Sequence, residues 1–254
     1  MDLVAGGHRL DYDWHGPSPE EAPTIVFLHE GLGCVAMWRD FPKRVAEATG
    51  FGALVYSRVG YGKSEPVDLP RSVTFMHDEA LIVLPEILEI LRIREAILFG
   101  HSDGGSIALI HAGSGRATKV RSLILEAPHV FVETIGIESI QKAKENYEKG
   151  SLRANLLRYH DSNVECAFRG WNDVWLSPEF RSWNIESFLP VIKVPVLVLQ
   201  GEEDQYGTWR QVEAIKAACG GGVETILLPA CGHSPHRDQF ELVLENTIAF
   251  LKTR

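Results

Sequence analysis

The sequence has no run of 18 apolar residues, which excludes a hydrophobic helix able to span a bilayer. It is also short of positive charge. Against 34 Asp and Glu stand 25 Lys and Arg, a formal net charge of −9. The basic footprint that nucleic acid requires is therefore missing, and an anionic membrane surface has nothing to attract. Cysteines are few: Cys34, Cys166, Cys219 and Cys231 are scattered, with no CxxC pair. That spacing gives no disulfide framework and reads as reduced thiols, which places the protein in the cytoplasm. The opening Met1-Asp2-Leu3-Val4-Ala5-Gly6-Gly7-His8 has neither a basic nor an apolar segment, so no secretory leader is expected. Internal repeats and low-complexity linkers are absent too.

What is present is ordinary globular composition, 45% hydrophobic and 23% charged, in a chain long enough to bury a substantial core. Continuous apolar runs bounded by turn residues occur at 25–28, 53–56, 96–99, 123–125, 196–199 and 225–228. Such runs suit strands buried on both faces of a parallel sheet. Residues 9–14 alternate polar and apolar, the pattern of a half-buried antiparallel edge strand. Helical patterns fall between the runs, at 41–49, 74–91, 106–111, 209–218 and 238–251. Pro85 should kink the second of them. This alternation predicts an α/β fold, a mostly parallel sheet flanked by helices. It fails once, from 129 to 190, where helical patterns at 137–149 and 152–159 precede an aromatic stretch with Phe168, Trp171, Trp175, Phe180 and Trp183. A segment of that length is no simple connection. It predicts a helical cap (129–190) inserted between a first core part (1–128) and a second (191–254).

Open parallel sheets bind ligands beyond the carboxyl ends of their strands, and four such ends carry candidate chemistry. After 96–99 comes Gly100-His101-Ser102-Asp103-Gly104, followed by the small-residue helical pattern. A serine on a sharp turn from strand to helix is held in a strained conformation, with glycines two residues away on each side to prevent collision. Its Oγ stands at the helix N-terminus, where the dipole favours developing negative charge. After 25–28 comes His29-Glu30-Gly31-Leu32-Gly33, a loop able to turn a backbone N–H inward. After 196–199 comes Gln200-Gly201-Glu202-Glu203-Asp204. After 225–228 comes Pro229-Ala230-Cys231-Gly232-His233-Ser234-Pro235.

With these motifs and Ser57-Arg58-Val59-Gly60-Tyr61-Gly62-Lys63-Ser64, the chain resembles the α/β-hydrolase superfamily over nearly its whole length. Within it, the chain is similar to small capped hydrolases of the valacyclovir-hydrolase and enol-lactonase types. The resemblance implies Ser102 as nucleophile, His233 as base and Asp204 as orienting acid, in the family's chain order. It implies an oxyanion hole from the backbone N–H groups of Gly31 and Asp103. No metal or organic cofactor is implied. Two positions depart from the family pattern: Glu30 stands where glycine is usual, and Ser57 where aspartate is usual.

Each residue has a plainer competing role. Ser102 could be a helix N-cap. Glu202, Glu203 and, more weakly, Glu126 compete with Asp204, and His236, expected at the surface, competes with His233. His29 and His101 read as structural, hydrogen-bonded in tight loops. In the valacyclovir-hydrolase type the Asp matching Asp103 recognises a substrate amino group, although a carboxylate in a first helical turn needs no such role; Glu30 could serve the same purpose. One or two of Trp171, Trp175 and Trp183 are expected to face ligand. The predicted activity is hydrolysis of a carboxylic ester, lactone or thioester of a small, partly apolar substrate through an acyl-enzyme. A carbon–carbon hydrolase of ring-fission products, or a hydrolase-derived ligand receptor, would carry the same residues. The oligomeric state is not legible.

Overall fold

Strands that are apolar on both faces can only sit where helices cover both sides, and the apolar runs do so. The computed structural model describes residues 3–252. A hairpin of β1 (Leu3–Ala5) and β2 (His8–Leu10) leads into β3 (Tyr12–His15). Then come β4 (Thr24–Leu28), β5 (Gly52–Tyr56), β6 (Ala96–His101), β7 (Val120–Glu126), β8 (Val196–Gly201) and β9 (Val223–Leu228). The main sheet has seven strands in the order β3-β5-β4-β6-β7-β8-β9, with only β3 antiparallel. Residues 9–14 are not one strand. The run breaks at Asp11, whose N–H donates to Ser64 Oγ at 2.9 Å and whose carbonyl accepts from Ser57 N at 2.8 Å. Committed to the 57–64 loop, Asp11 belongs to neither ladder.

The helices are α1 (Phe41–Thr49), α2 (Phe75–Asp78), α3 (Leu84–Ile90), α4 (Asp103–Gly113), α5 (Thr134–Lys149), α6 (Leu152–His160), α7 (Val164–Leu176), α8 (Trp209–Ala218), α9 (Pro235–Asp238) and α10 (Phe240–Lys252). Side-chain alternation along the strands sorts the core into two layers. Ile25, Phe27, Val55, Ile97 and Phe99 face α1 and α10, while Val26, Leu28, Leu54 and Leu98 face α3, α4 and α8. Between α2 and α3 the helix passes through a π turn, Glu79–Val83. Pro85 has no N–H for the Leu81 carbonyl, and the widened turn falls where that bond is missing. The final helical pattern is likewise divided, at Gln239, whose side chain donates to the Pro229 carbonyl at 2.6 Å.

The segment between β7 and β8 contains α5, α6, α7 and short 3₁₀ turns; its one β contact is an isolated bridge, Phe131 to Asn184. Two buried side chains tie it to the loops beyond β4 and β5. His160 accepts from Gly62 N–H at 2.9 Å and donates to the Leu32 carbonyl at 3.0 Å. Asn163 donates to the carbonyls of Gly62 and Ser64 at 3.2 and 2.6 Å. Among the described residues, no helix is long and apolar enough to cross a membrane.

Candidate active site

At the end of β6, Ser102 has φ 53° and ψ −117° and makes no side-chain cap to α4. A non-glycine residue with positive φ costs about 1–3 kcal/mol, and its neighbours show what holds it there. A Cβ on Gly104 would strike the Leu28 carbonyl, and one on Gly100 would strike the Gly104 backbone. Strand and helix thus meet too closely for side chains, and the turn between them is forced tight.

Two further strand ends converge on the serine. His233 Nε2 accepts the Ser102 hydroxyl at 2.9 Å, and its Nδ1–H lies 2.9 Å from both oxygens of Asp204. Asp204 is enclosed by donors: Gln200 Nε2 at 2.7 Å, Tyr206 N–H at 2.7 Å and Gly207 N–H at 3.2 Å. Burial alone would raise the Asp204 pKa, but His233 and the Tyr206 N–H outweigh it and hold it at about 2. Glu202 and Glu203 are exposed. Ser102, His233 and Asp204 therefore form one hydrogen-bonded line. The competitors fall elsewhere, and His236 is not at the surface. It is 4% exposed, tilted against Trp38, and donates to Glu126 at 2.6 Å.

Gly31 and Asp103 border the same cavity, and among the described residues neither backbone N–H donates to another group. The loop carrying Gly31 is clamped from behind by Arg58, which is 1% exposed and donates to the His29 and Glu30 carbonyls at 2.6 and 3.0 Å. With those carbonyls turned toward Arg58, the Gly31 N–H is left without an internal acceptor, while Gly33 N–H donates to the Glu30 carbonyl at 3.1 Å. His29 is structural, donating to its neighbour's carbonyl at 2.7 Å and accepting Arg58 N–H at 3.1 Å. Arg58 lies in a motif visible in the sequence, although its contact with the 29–33 loop could not be read there.

Glu30 pairs with His101 Nδ1 at 3.5 Å, and His101 Nε2 donates to the His233 carbonyl at 2.5 Å. Burial would lower the His101 pKa. Glu30 and Glu126 reverse that and raise it to about 9, while His101 pulls Glu30 well below the usual carboxylate range. The carboxylate beside Gly31 is thus matched by an imidazolium. Asp103 is fully buried; Trp175 Nε1 donates to it at 3.2 Å and Arg58 lies 3.9 Å away. Of the two carboxylates, Glu30 reaches the cavity with a side chain 20% exposed, against 1% for Asp103.

The cavity holds about 620 Å³, room for a small organic molecule. Trp171 and Trp175 line it; Trp183 does not, and stacks on Phe180 with ring centroids 5.3 Å apart. A Cβ at residue 31 would overlap the indole of Trp171, so the tryptophan lies directly on the loop. His129 also lines the cavity, three residues beyond β7. The strand-end rule reaches it, but no motif marks it. His101, Glu126 and His236 bring potential metal-ligand atoms within 4.8 Å of one another. His236 Nδ1 donates to Glu126 Oε2, His101 Nε2 donates to the His233 carbonyl and His101 Nδ1 faces Glu30 at 3.5 Å, while Glu126 Oε1 has no partner among the described residues.

The alpha/beta hydrolase family model matches residues 25–245. The chain belongs to the alpha/beta hydrolase family. It is 35% identical over 229 residues to a putative carbamate hydrolase, RutD, of Stutzerimonas stutzeri, covering 80% of this chain and 82% of that one. It is 25% identical over 247 residues to a proline iminopeptidase of Lactobacillus crispatus, covering 80% and 83%. Among solved structures, it resembles an esterase from Exiguobacterium antarcticum with TM-score 0.79 and 20% identity, over 99% of both chains. An enol-lactonase from Burkholderia xenovorans gives TM-score 0.77 and 20% identity, covering 99% of this chain and 100% of that one. These two likenesses concern the fold.

Proposed function

We propose that this family member is a serine hydrolase cleaving a carboxylic ester, lactone or thioester of a small, partly apolar substrate through an acyl-enzyme. The observation that carries the reading is the line Asp204–His233–Ser102, ending in a strained serine on the floor of a 620 Å³ cavity. Ser102 Oγ attacks the carbonyl carbon as its proton passes to His233 Nε2. Asp204 fixes the imidazole tautomer and stabilises the imidazolium. The N–H groups of Gly31 and Asp103, at a loop clamped by Arg58 and at a helix N-terminus, receive the oxyanion. His233 returns the proton to the leaving alkoxide or thiolate. Water, deprotonated by the same histidine, then frees the acid. The segment 129–190 serves as cap: Leu152, Leu156, Trp171 and Trp175 give the cavity an apolar wall that excludes water and seats the acyl or alkoxy group. Asp103 serves as a strut between core and cap through Trp175, which leaves Glu30 as the carboxylate that a substrate amino group could meet. The small-molecule substrate is the only partner this reading requires.

A fluorophosphonate probe should label Ser102, and Ser102→Ala should remove labelling and lower ester turnover by about 10⁴- to 10⁶-fold. The buried line contributes little apolar packing through that hydroxyl, so the variant should fold. A Ser102→Ala protein retaining more than about a tenth of wild-type turnover would overturn the assignment.

A further inference from the structure

The mechanism leaves one buried cavity histidine unused. The ring of His129 lies 5.5 Å from that of His233 and 5.3 Å from that of Trp175, centroid to centroid. Its main chain is fixed, because its carbonyl accepts the Ser106 hydroxyl at 2.6 Å. Its Cε1 and Nδ1 edge faces Gly207, where an added Cβ would come within 3.2 Å. Although the residue is 6% exposed, no group among the described residues hydrogen-bonds either ring nitrogen. Neither nitrogen is among the polar atoms sealed off from solvent without a partner, so both have access to the cavity. Burial, reinforced by His233 and opposed by Asp204 and Glu133, lowers its pKa to about 3 and keeps the ring neutral.

A neutral imidazole offers one donor and one acceptor. Protein interiors rarely leave such a group without partners; here the empty side is the substrate's. The position also selects the half of the substrate. His233 delivers a proton to the leaving group, and His129 stands beside His233 along with Tyr206, whose ring is 4.7 Å away. We propose that His129 is a specificity residue that hydrogen-bonds a hydroxyl group carried on the leaving-group half of the substrate. A hydroxyl both donates and accepts, so it can bond either ring nitrogen whichever carries the proton, whereas a carbonyl matches only the N–H and an ammonium only the bare nitrogen. This inference rests on the serine-hydrolase reading above.

Propyl and 2-hydroxyethyl butyrate are nearly isosteric and differ by a terminal methyl against a hydroxyl. Wild type should prefer the hydroxyethyl ester in kcat/KM. His129→Phe keeps a flat ring against Trp175 but has no nitrogen, and should lower the hydroxyethyl-to-propyl ratio by about three- to tenfold, the effect of one neutral hydrogen bond. His129→Asn, which keeps a donor and an acceptor, should restore part of that ratio. Calorimetric binding of both esters to Ser102→Ala, with and without His129→Phe, reads the same ratio without turnover. An unchanged ratio in both measurements overturns the inference. Should the binding ratio depend on His129 while a fluorophosphonate probe fails to label Ser102, the serine-hydrolase reading falls and the hydroxyl site stands.

Discussion

Glu30→Gln removes the charge opposite a buried imidazolium while keeping the shape of the side chain. The carboxylate stands 3.5 Å from His101 Nδ1, and at an effective dielectric of about 20 that separation is worth about 5 kcal/mol. Desolvation of the ring consumes part of it. A pKa raised from 6.5 to about 9 corresponds to a net stabilisation of about 3 kcal/mol. Because the folded value lies above the unfolded one, this contribution is complete below about pH 6.5, declines above it, and is gone once the pH has passed about 9. Urea unfolding of wild type from pH 6 to 10 should show that loss. Glu30→Gln should be less stable at pH 7 by up to about 3 kcal/mol and should lose most of this part of the alkaline decline, since only Glu126 and the His233 carbonyl are then left to offset the burial of His101. Other groups titrate in the same range, and the difference between the two proteins isolates the pair. NMR of labelled histidine supplies the direct readout. A wild-type His101 titrating at or below 6.5, or an undiminished alkaline decline in Glu30→Gln, would refute the reasoning.

Asp204→Asn should preserve the fold yet cut turnover by roughly 10⁴-fold through the wrong histidine tautomer, whereas Glu203→Gln, at an exposed position, should act far more weakly; steady-state kinetics on one ester compares them. In wild type, the depressed Asp204 pKa of about 2 predicts stability present above about pH 4 and lost as pH falls toward 2, a component that Asp204→Asn should lack in acid unfolding. Truncating Trp171 or Trp175 to Ala should reorder the kcat/KM preference between short aliphatic and aromatic esters by about tenfold, or about 1.4 kcal/mol. Trp183→Ala, away from the cavity, should change stability while keeping the ranking; reordering by Trp183→Ala alone would refute the placement of the pocket wall.

The sheet and its serine were legible in the sequence for a local reason. A strand buried on both faces needs an unbroken apolar run, and a sharp turn into a helix needs Gly100 and Gly104, whose missing side chains are filled by backbone. Both signals lie within a few consecutive residues. The 9–14 run reads as one strand in sequence because its interruption depends on Asp11 meeting Ser57 and Ser64, which are about fifty positions away. The burial of His236 is hidden from the sequence for the same reason. Nothing within Ser234-Pro235-His236-Arg237 marks the imidazole as buried, and only the fold brings Glu126 and Trp38 to it. Glu30 shows the limit most clearly. As a single letter it is a charged residue where glycine is usual, a conflict with the oxyanion role proposed for the loop it flanks. The conflict disappears only when His101, seventy-one positions on, is seen to lie 3.5 Å away. The tight pairing also explains how a carboxylate can border that loop. Its charge is compensated before substrate arrives, so under the proposed mechanism an oxyanion developing at the Gly31 and Asp103 amides would meet a nearly neutral neighbour rather than a repelling one.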